Sequence, residues 1–371
     1  MKSILVTGSA GFIGKHVGLA LRRAGNFEVL EYDVGHDPEQ LPGLIARAQF
    51  VIHLAGVNRP KDESEYVSGN ADLTRRVCEC VARDGRHIPI AMSSSIQAER
   101  DNAYGNSKRL AEEALLEHHR TTGAPVYLYR LPNVFGKWSR PQYNTVVATF
   151  CHNISHGLPV TVNDRAAELR FVYIDDVVRD LVTLAGADES CAGGLERDVS
   201  PVYSITLGQL HDLIVSFRDC REQAMVPDMG SALTKSLYST YLSFLDSGDW
   251  GRRVDMKTDA RGWLFELVKS RGAGQIFVSK TKPGITRGNH YHDSKVEKFC
   301  VIQGRGVIRF RQVLGDDVIE YPVDDATIQV VDIPPGLTHS IENTGPGDMI
   351  TLFWANEIFD PAHPDTFFEP V

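Results

Sequence analysis

Long hydrophobic runs and targeting signals are absent from this sequence, and their absence excludes whole classes of protein. No stretch of about 18 uncharged apolar residues occurs, so no predicted helix could span a membrane. The opening residues, MKSILVTGSAGFIG, reach glycine by residue 8 and lack the apolar core and small-residue cleavage site of a secretory signal. We therefore expect a cytoplasmic protein that has no membrane partner.

Positive charge and cysteine are also scarce. The chain has 39 lysines and arginines against 48 aspartates and glutamates, a net charge of −9. This charge argues against nucleic acid as a partner, because phosphate-backbone binding needs a basic surface. The 6 cysteines do not suggest a disulfide framework, and Cys78 and Cys80 match neither a zinc knuckle nor a redox CxxC motif. We expect reduced, mostly buried thiols.

Two domains are predicted from the 371 residues. Apolar strand candidates at 3–7, 28–33, 50–54, 88–93 and 126–131 alternate with helical segments at 12–24, 71–83 and 104–120. That alternation predicts an α/β fold with a doubly wound parallel sheet. Later strand candidates, at 275–281, 297–303, 306–311, 327–333 and 349–355, are separated by turn residues and predict an all-β barrel. We place the domains at 1–245 and 246–371.

The first predicted strand leads directly into a glycine-rich turn. Gly8, Gly11 and Gly14 are spaced three residues apart, and Phe12 and Ile13 lie between the last two. Such a turn lets backbone N–H groups and the following helix N-terminus bind a pyrophosphate, so we predict a dinucleotide coenzyme.

Two further segments belong to the predicted coenzyme site. Asp33 ends the second strand, where a carboxylate accepts ribose hydroxyls and repels a 2′-phosphate, which favours NAD over NADP. The third strand ends in small residues, Leu54, Ala55 and Gly56, under which a coenzyme could pass.

A candidate proton-transfer pair lies at the start of a predicted helix. Tyr104 and Lys108 are four residues apart and therefore share a helix face. An ammonium there should lower the pKa of the phenol and let Tyr104 exchange a proton with a sugar oxygen. Ser94 and Ser95 end the preceding strand, where a hydroxyl can hold the same oxygen.

Together these motifs (TGSAGFIG, HLAG, SSS and YGNSK) resemble the extended short-chain dehydrogenases/reductases that act on nucleotide sugars. The resemblance covers residues 1 to about 245 and implies a Rossmann fold. It implies Tyr104 as the acid/base, Lys108 as its activator and ribose contact, and Ser95, with Ser94 as second choice, as the oxygen-holding serine. Asn133, in RLPNVFG, and Arg170, in RFVYIDDV, match the family's substrate-side segments.

One departure from that family narrows the reaction. Its 4,6-dehydratases carry an Asp-Glu pair after the catalytic hydroxyl residue, whereas Ile96 and Gln97 follow Ser95 here. Neither side chain can remove water from the sugar in that way, which leaves carbonyl reduction or epimerisation.

The C-terminal half contains a candidate metal site. His290 and His292 are two residues apart, so a strand points both imidazoles to one face. Glu297 begins a later strand, and His339 follows a proline–glycine turn. Three imidazoles and a carboxylate that converge inside a barrel form a divalent metal site.

These strings resemble both motifs of the cupin superfamily, although Ile328 stands where the second motif begins with glycine. Residues 259–266 are similar to the DxRGxFxE segment of cupin-fold nucleotide-sugar epimerases. Those enzymes usually use a His–Asp base without metal. We find no such dyad in this sequence, so the proton-transfer residue stays open.

The whole chain resembles the bifunctional capsule and O-antigen enzymes of UDP-N-acetyl-L-fucosamine synthesis. The resemblance implies a zinc cupin domain that epimerises C3 of a UDP-2-acetamido-2,6-dideoxy-4-keto-hexose. It also implies a reductase domain that makes UDP-2-acetamido-2,6-dideoxy-L-talose with NADPH, and a homodimer. Asp33 favours NADH instead, so the choice of coenzyme stays open.

Two alternative functions remain open on the sequence. In the first, the chain is only a nucleotide-sugar 4-reductase, and the barrel is a structural module. In the second, it is a 4-epimerase that retains NAD and consumes no reduced coenzyme.

Overall fold

The computed structural model describes residues 1–143, 145–187, 195–223, 225–253, 257–259, 262–264, 274–357 and 362–371. Two compact units are present. Unit 1 comprises Met1–Phe135, Gln142–Thr145 and Leu169–Ser204, and unit 2 comprises Gly136–Pro141, Val146–Glu168 and Ile205–Val371. The units are therefore interleaved in sequence, and the predicted domain boundary after residue 245 stays a prediction.

Unit 1 contains a six-stranded parallel sheet of order β2-β1-β3-β4-β5-β8. Strand β2 lies on one side of β1, and β3 and the later strands lie on the other side, so the order in which strands are added switches at β1, as in doubly wound folds. The strands are β1 (Lys2–Thr7), β2 (Phe27–Tyr32), β3 (Phe50–His53), β4 (Ile90–Ser95), β5 (Val126–Leu131) and β8 (Glu196–Arg197). The helices are α1 (Phe12–Ala24), α2 (Gln40–Arg47), α3 (Leu73–Asp84), α4 (Ala103–Thr122) and α6 (Ile174–Gly186).

Apolar strands explain why this sheet is buried on both faces. Every residue of β3 is buried, and β1 is buried from Ile4 to its end. Leu5, Val51 and Ile90 belong to one core cluster with the inner faces of α2, α3 and α4. A separate sheet of order β6-β7-β9 contains β6 (Asn133–Phe135), β7 (Glu168–Tyr173) and β9 (Val202–Thr206).

Unit 2 contains two five-stranded antiparallel sheets, of orders β10-β18-β15-β20-β13 and β17-β16-β19-β14-β21. The strands of the first sheet are β10 (Gly251–Arg253), β13 (Gln275–Thr281), β15 (Glu297–Gln303), β18 (Gln329–Ile333) and β20 (Met349–Ala355). Those of the second are β14 (Thr286–Tyr291), β16 (Arg305–Gln312), β17 (Val318–Asp324), β19 (Leu337–Asn343) and β21 (Phe367–Phe368). In addition, β11 (Lys257–Asp259) pairs antiparallel with β12 (Gly262–Leu264).

Among the described residues of unit 2 are three α-helices: α5 (Val146–Ser155), α7 (Leu207–Glu222) and α8 (Ala232–Leu242). They pack against one another, with Phe217 of α7 between Tyr238 and Tyr241 of α8 at ring-centroid distances of 5.2 and 5.9 Å. In the strands, Trp354 and Phe310 are almost fully buried. Aromatic side chains thus fill both the helical and the β part of this unit.

The predicted fold class, a doubly wound parallel sheet followed by antiparallel β-structure, is confirmed. Strand β4 differs from its prediction, because it covers Ile90–Ser95 instead of residues 88–93. None of the described helices has both the length and the apolar character needed to cross a membrane.

Candidate functional site

The glycine turn of unit 1 approaches the end of β3 closely. Gly8 has a φ of +69°, and a Cβ at this position would lie 2.7 Å from the backbone nitrogen of Ala55. Only glycine fits both the positive φ and this contact. In the described segment 1–143, α1 begins after Gly11 with no side-chain cap and no acidic residue in its first turn. The N–H groups of that turn are therefore available to an anion.

Asp33 lies just after β2 and bonds to the glycine turn itself. Its Oδ2 accepts the N–H of Ala10 at 2.7 Å, and its Oδ1 accepts the N–H of Val34 at 2.8 Å. The carboxylate therefore adds a fixed negative charge beside the turn. Phe12 and Ile13, also predicted coenzyme contacts, are half-buried at the start of α1.

Tyr104, Lys108 and Ser95 are brought together at the carboxyl end of β4. The Lys108 Nζ lies 5.9 Å from the centroid of the Tyr104 ring, and Ser95 hydrogen-bonds the Tyr104 hydroxyl. Ser94 points elsewhere, because its hydroxyl donates to Glu112 at 2.5 Å. The geometry therefore places Ser95, and not Ser94, beside the phenol; the catalytic roles of these residues stay predictions.

The electrostatics of this group differ from the sequence argument. Burial raises the pKa of Tyr104, and the hydrogen bond with Ser95 only partly opposes that rise. Burial also lowers the pKa of Lys108 to about 8, although Glu112 favours its charged form. Desolvation of the phenol therefore opposes the lowering of its pKa that was expected from Lys108, which is itself desolvated.

The sequence did not predict a buried hydrogen-bond network next to the glycine turn. Thr7 Oγ1 lies 2.7 Å from His53 Nδ1, and His53 Nε2 lies 3.0 Å from Thr74 Oγ1. Thr74 donates to the carbonyl of Asn70, so His53 Nε2–H must donate to Thr74 and Nδ1 must accept from Thr7. Burial lowers the pKa of His53 to about 3, which keeps the ring neutral. The sequence signal for this network was His53, the histidine of the HLAG motif.

The residues around Lys108 leave little room at the end of β3. A Cβ on Gly56 would lie 3.1 Å from the Nζ of Lys108 and 2.6 Å from Oδ1 of Asn70. The Asn70 amide donates to Ser107 Oγ at 3.0 Å, and Ser107 in turn donates to the carbonyl of Tyr104. This chain of bonds connects the small-residue segment with the first turn of α4.

The two predicted substrate contacts lie next to each other on parallel strands. Asn133 Nδ2 donates to the carbonyl of Arg170 at 3.1 Å, and both side chains are exposed. Their proposed contact with substrate stays a prediction.

In unit 2 the four predicted metal ligands converge. His290 lies on β14, opposite His339 on β19, and His292 and Glu297 flank the turn between β14 and β15. A β-bulge at Asn289, which has a φ of 58°, shifts the register just before His290. One ligand atom from each of the four residues lies within 4.8 Å of the others.

The charge states suit metal binding. Burial lowers the pKa of His290 to about 3 and also lowers that of His339, so both imidazoles are neutral near pH 7. Burial would raise the pKa of Glu297, but the neighbouring imidazoles of His292 and His339 hold it well below its usual range. Neutral imidazoles and an ionised carboxylate are the forms that bind a metal ion.

Two observations fit a cation at this position. His339 is fully buried, and neither of its ring nitrogens has a hydrogen-bond partner among the described residues. The carbonyl of Asp365, which can only accept, lies 2.5 Å from His292 Nδ1 and so places the proton there. The lone pair of His292 Nε2 then faces Glu297 Oε2 at 3.2 Å, an arrangement that a cation between them stabilises. Residues 260, 261, 265 and 266 of the predicted epimerase-like segment 259–266 lie outside the described residues.

Comparison with known proteins agrees with this arrangement. Residues 4–194 match the NAD dependent epimerase/dehydratase family, and residues 257–367 match the polysaccharide biosynthesis C-terminal domain. The chain is 45% identical over 364 residues to the UDP-2-acetamido-2,6-beta-L-arabino-hexul-4-ose reductase of Pseudomonas aeruginosa, which covers 98% of this chain and 97% of the relative.

Solved structures give the same result over the whole length. The capsular polysaccharide assembling protein CapF of Staphylococcus aureus is similar with a TM-score of 0.68 and 42% identity, covering 99% of this chain and 100% of CapF. A second CapF structure, with the inhibitor 3-isopropenyl-tropolone, has a TM-score of 0.64 and 38% identity, covering 100% of both chains. The predicted resemblance is confirmed: the chain belongs to the NAD dependent epimerase/dehydratase family, in the group that carries a polysaccharide biosynthesis C-terminal domain and includes the P. aeruginosa reductase.

Proposed function

We propose that unit 1 reduces the C4 ketone of a UDP-2-acetamido-2,6-dideoxy-4-keto-hexose, and that unit 2 first epimerises this sugar at C3. The observation that supports reductase activity is that Tyr104 lies beside Ser95 and Lys108, at the sheet edge where Gly8 approaches Ala55. The choice of substrate rests on the full-length similarity to the P. aeruginosa reductase. The product would be the 6-deoxy-L-talose sugar nucleotide of surface polysaccharide synthesis.

The reductase step needs one hydride and one proton. A reduced nicotinamide coenzyme supplies the hydride to C4 when it is bound. Tyr104, whose pKa is raised by burial, keeps its proton near neutral pH and donates it to the developing C4 alkoxide. Ser95 holds the same oxygen, and the Lys108 ammonium stabilises the phenolate that forms. The C4 carbon gains a hydrogen, the carbonyl oxygen becomes a hydroxyl, and the coenzyme is oxidised.

The identity of the coenzyme rests on Asp33. Its carboxylate is fixed beside the glycine turn by the N–H groups of Ala10 and Val34, where it would repel a 2′-phosphate and favour NADH. The resemblance implies NADPH instead. Initial rates with each coenzyme at equal concentration decide between them.

For unit 2 we propose a zinc site formed by His290, His292, Glu297 and His339. These residues would hold a divalent ion, which would supply Lewis-acid polarisation of the C4 carbonyl and so make the neighbouring C3–H more acidic. The chain contributes neutral imidazoles and a single negative charge, which keep the ion strongly electron-withdrawing. The tropolone inhibitor of CapF supports a metal, because tropolone has adjacent oxygens that chelate metal ions.

Proton NMR of the UDP-4-keto sugar in deuterated water tests both halves of the proposal. We expect the C3 proton to exchange without coenzyme, and a chelator to stop that exchange. Adding reduced coenzyme should consume one equivalent per 4-hydroxy sugar formed. Exchange that persists after the metal has been removed would contradict the metal-dependent mechanism, whereas turnover without coenzyme consumption would indicate a 4-epimerase.

The barrel could instead be a structural module. In that case the chain would reduce the ketone without exchanging the C3 proton. The resemblance also implies a homodimer, which sedimentation equilibrium tests.

A further inference from the structure

A carboxylate from the C-terminal segment holds the turn between two of the proposed metal ligands. Asp365 Oδ1 accepts the N–H of Asp293 at 2.8 Å. Its Oδ2 accepts the N–H groups of Ser294 and Lys295 at 2.8 and 2.6 Å, and the Ser294 hydroxyl at 2.9 Å. Three consecutive N–H groups, all between His292 and Glu297, therefore bond to a single side chain.

The backbone of the same residue fixes the ring of His292. The carbonyl of Asp365 accepts from His292 Nδ1 at 2.5 Å, which directs Nε2 toward Glu297. One residue thus sets both the path of the turn and the orientation of a ligand. Residues 362–364, just before it, are exposed, whereas Asp365 is half-buried.

The carbonyl groups of this turn are held from other parts of unit 2. Lys137 Nζ donates to the carbonyl of Asp293 at 3.1 Å, and Ser239 Oγ donates to that of Ser294 at 2.8 Å. The Gly336 N–H, three residues before His339, donates to the carbonyl of His292 at 3.0 Å. Asp365 therefore accepts the N–H groups of this turn, while other residues of unit 2 donate to its carbonyl groups.

We propose that Asp365 is a positioning residue for metal binding, a role that rests on the proposed metal site. Its carboxylate fixes the separation of His292 and Glu297, and its carbonyl fixes the tautomer of His292. Groups that orient metal ligands in this way contribute about 10–100-fold to metal affinity. Without the carboxylate, three N–H groups lose their acceptor and the turn can move both ligands away from the centre.

The test measures Zn²⁺ affinity of the full-length chain by competition with a chromogenic chelator. Asp365→Asn keeps the side-chain shape but places an NH₂ group against the N–H donors, and Asp365→Ala removes the side chain. Glu369→Gln is the matched control, because Glu369 lies in the same segment and pairs with Arg311 at 2.9 Å. We expect at least about tenfold weaker Zn²⁺ binding in both Asp365 variants and less than a twofold change in the control.

Two further readouts separate positioning from general stability. At saturating Co²⁺, the visible absorption spectrum should change for Asp365→Asn and not for Glu369→Gln. Amide hydrogen exchange at residues 293–295 of the metal-free chain should become faster only in the Asp365 variants. If Asp365→Ala does not fold, the near-isosteric Asn variant decides alone.

The outcomes distinguish the two proposals. A wild-type chain that binds no Zn²⁺ would overturn the metal site and the positioning role with it. Tight wild-type binding, with unchanged affinity and an unchanged Co²⁺ spectrum in Asp365→Asn, would overturn only the role of Asp365.

Discussion

Replacing Lys108 by methionine should stabilise unit 1 while it abolishes the reductase reaction. The Lys108 side chain is 9% exposed, and burial lowers its pKa from 10.5 to about 8. A lysine that is harder to protonate in the folded chain destabilises that state at neutral pH. At about 1.36 kcal/mol per pKa unit, the shift corresponds to an upper limit of about 3 kcal/mol.

The neighbouring carboxylate does not reverse this expectation. Glu112 lies one turn further along α4 and is 3% exposed. Arg130 donates to both of its oxygens at 2.7–3.2 Å, and Ser94 donates to one of them. Loss of Lys108 therefore leaves no unpaired buried charge, and methionine replaces most of its aliphatic chain. We expect a gain of about 1–3 kcal/mol at pH 7.

The pH dependence of the free energy of unfolding provides a second test of this stabilisation. Between the folded pKa of about 8 and the unfolded value of 10.5, the unfolded chain keeps a proton that the folded chain has lost. The free energy of unfolding of the wild-type chain therefore contains a term that rises with pH through this window. Lys108→Met lacks that term, so its advantage over wild type should shrink as the pH rises from 7 to 10.

The assay must report on unit 1 alone. All four tryptophans, at positions 138, 250, 263 and 354, belong to the segments of unit 2, so tryptophan fluorescence is unsuitable. Cys78 is 6% exposed and belongs to the unit 1 core, so its labelling by a thiol reagent in increasing urea reports unfolding there. Lys15→Met is the control, because Lys15 is exposed on α1. A Lys108→Met chain that is less stable than wild type at pH 7, and whose deficit does not change with pH, would refute the reasoning.

Three further changes test the two sites. Tyr104→Phe removes the proton donor, so coenzyme oxidation should fall at least about 100-fold while C3 proton exchange, followed by NMR, is retained; loss of both activities in a folded variant would contradict separate sites. His290→Ala removes one ligand, so Zn²⁺ binding, measured by chelator competition, and C3 exchange should both be lost, and exchange by a metal-free preparation would argue against the metal. Asp33→Asn removes the charge that repels a 2′-phosphate, so the ratio of kcat/KM for NADPH to that for NADH should rise about tenfold.

The sequence predicted β1 to β5 because continuous apolar runs are a local signal. It placed β4 two residues too early, since its last residues are serines, which do not continue that run. In the structure Ser94 and Ser95 still pair with Arg130 and Leu131 of β5. Ser94 meets Glu112 and Ser95 meets Tyr104, which lie eight residues apart on α4. Because the predicted strand ended at residue 93, it did not include Ser94 and Ser95 and gave no basis for choosing between them.

Contacts between distant segments could not be predicted from one sequence. In unit 2, Arg221 of α7 and Lys298 of β15 both pair with Asp332 of β18, and all three side chains are buried. Their positions in the chain give no local signal of this cluster. Asp365, 72 residues from Asp293, escaped detection for the same reason. The four candidate metal ligands could be predicted because a known motif spacing, and not a pairwise contact, identified them.

The electrostatics of the two candidate sites suit opposite tasks, which explains why one pocket would not serve both. Burial keeps the Tyr104 phenol protonated, as donation to an alkoxide requires. The neighbouring imidazoles keep the Glu297 carboxylate ionised, as metal binding requires. The chemistry also fixes the order of the steps, because C3–H is acidic only while C4 is a ketone. In the proposed function reduction therefore ends epimerisation, and a chain with Tyr104→Phe should allow the two C3 epimers of the keto sugar to reach equilibrium.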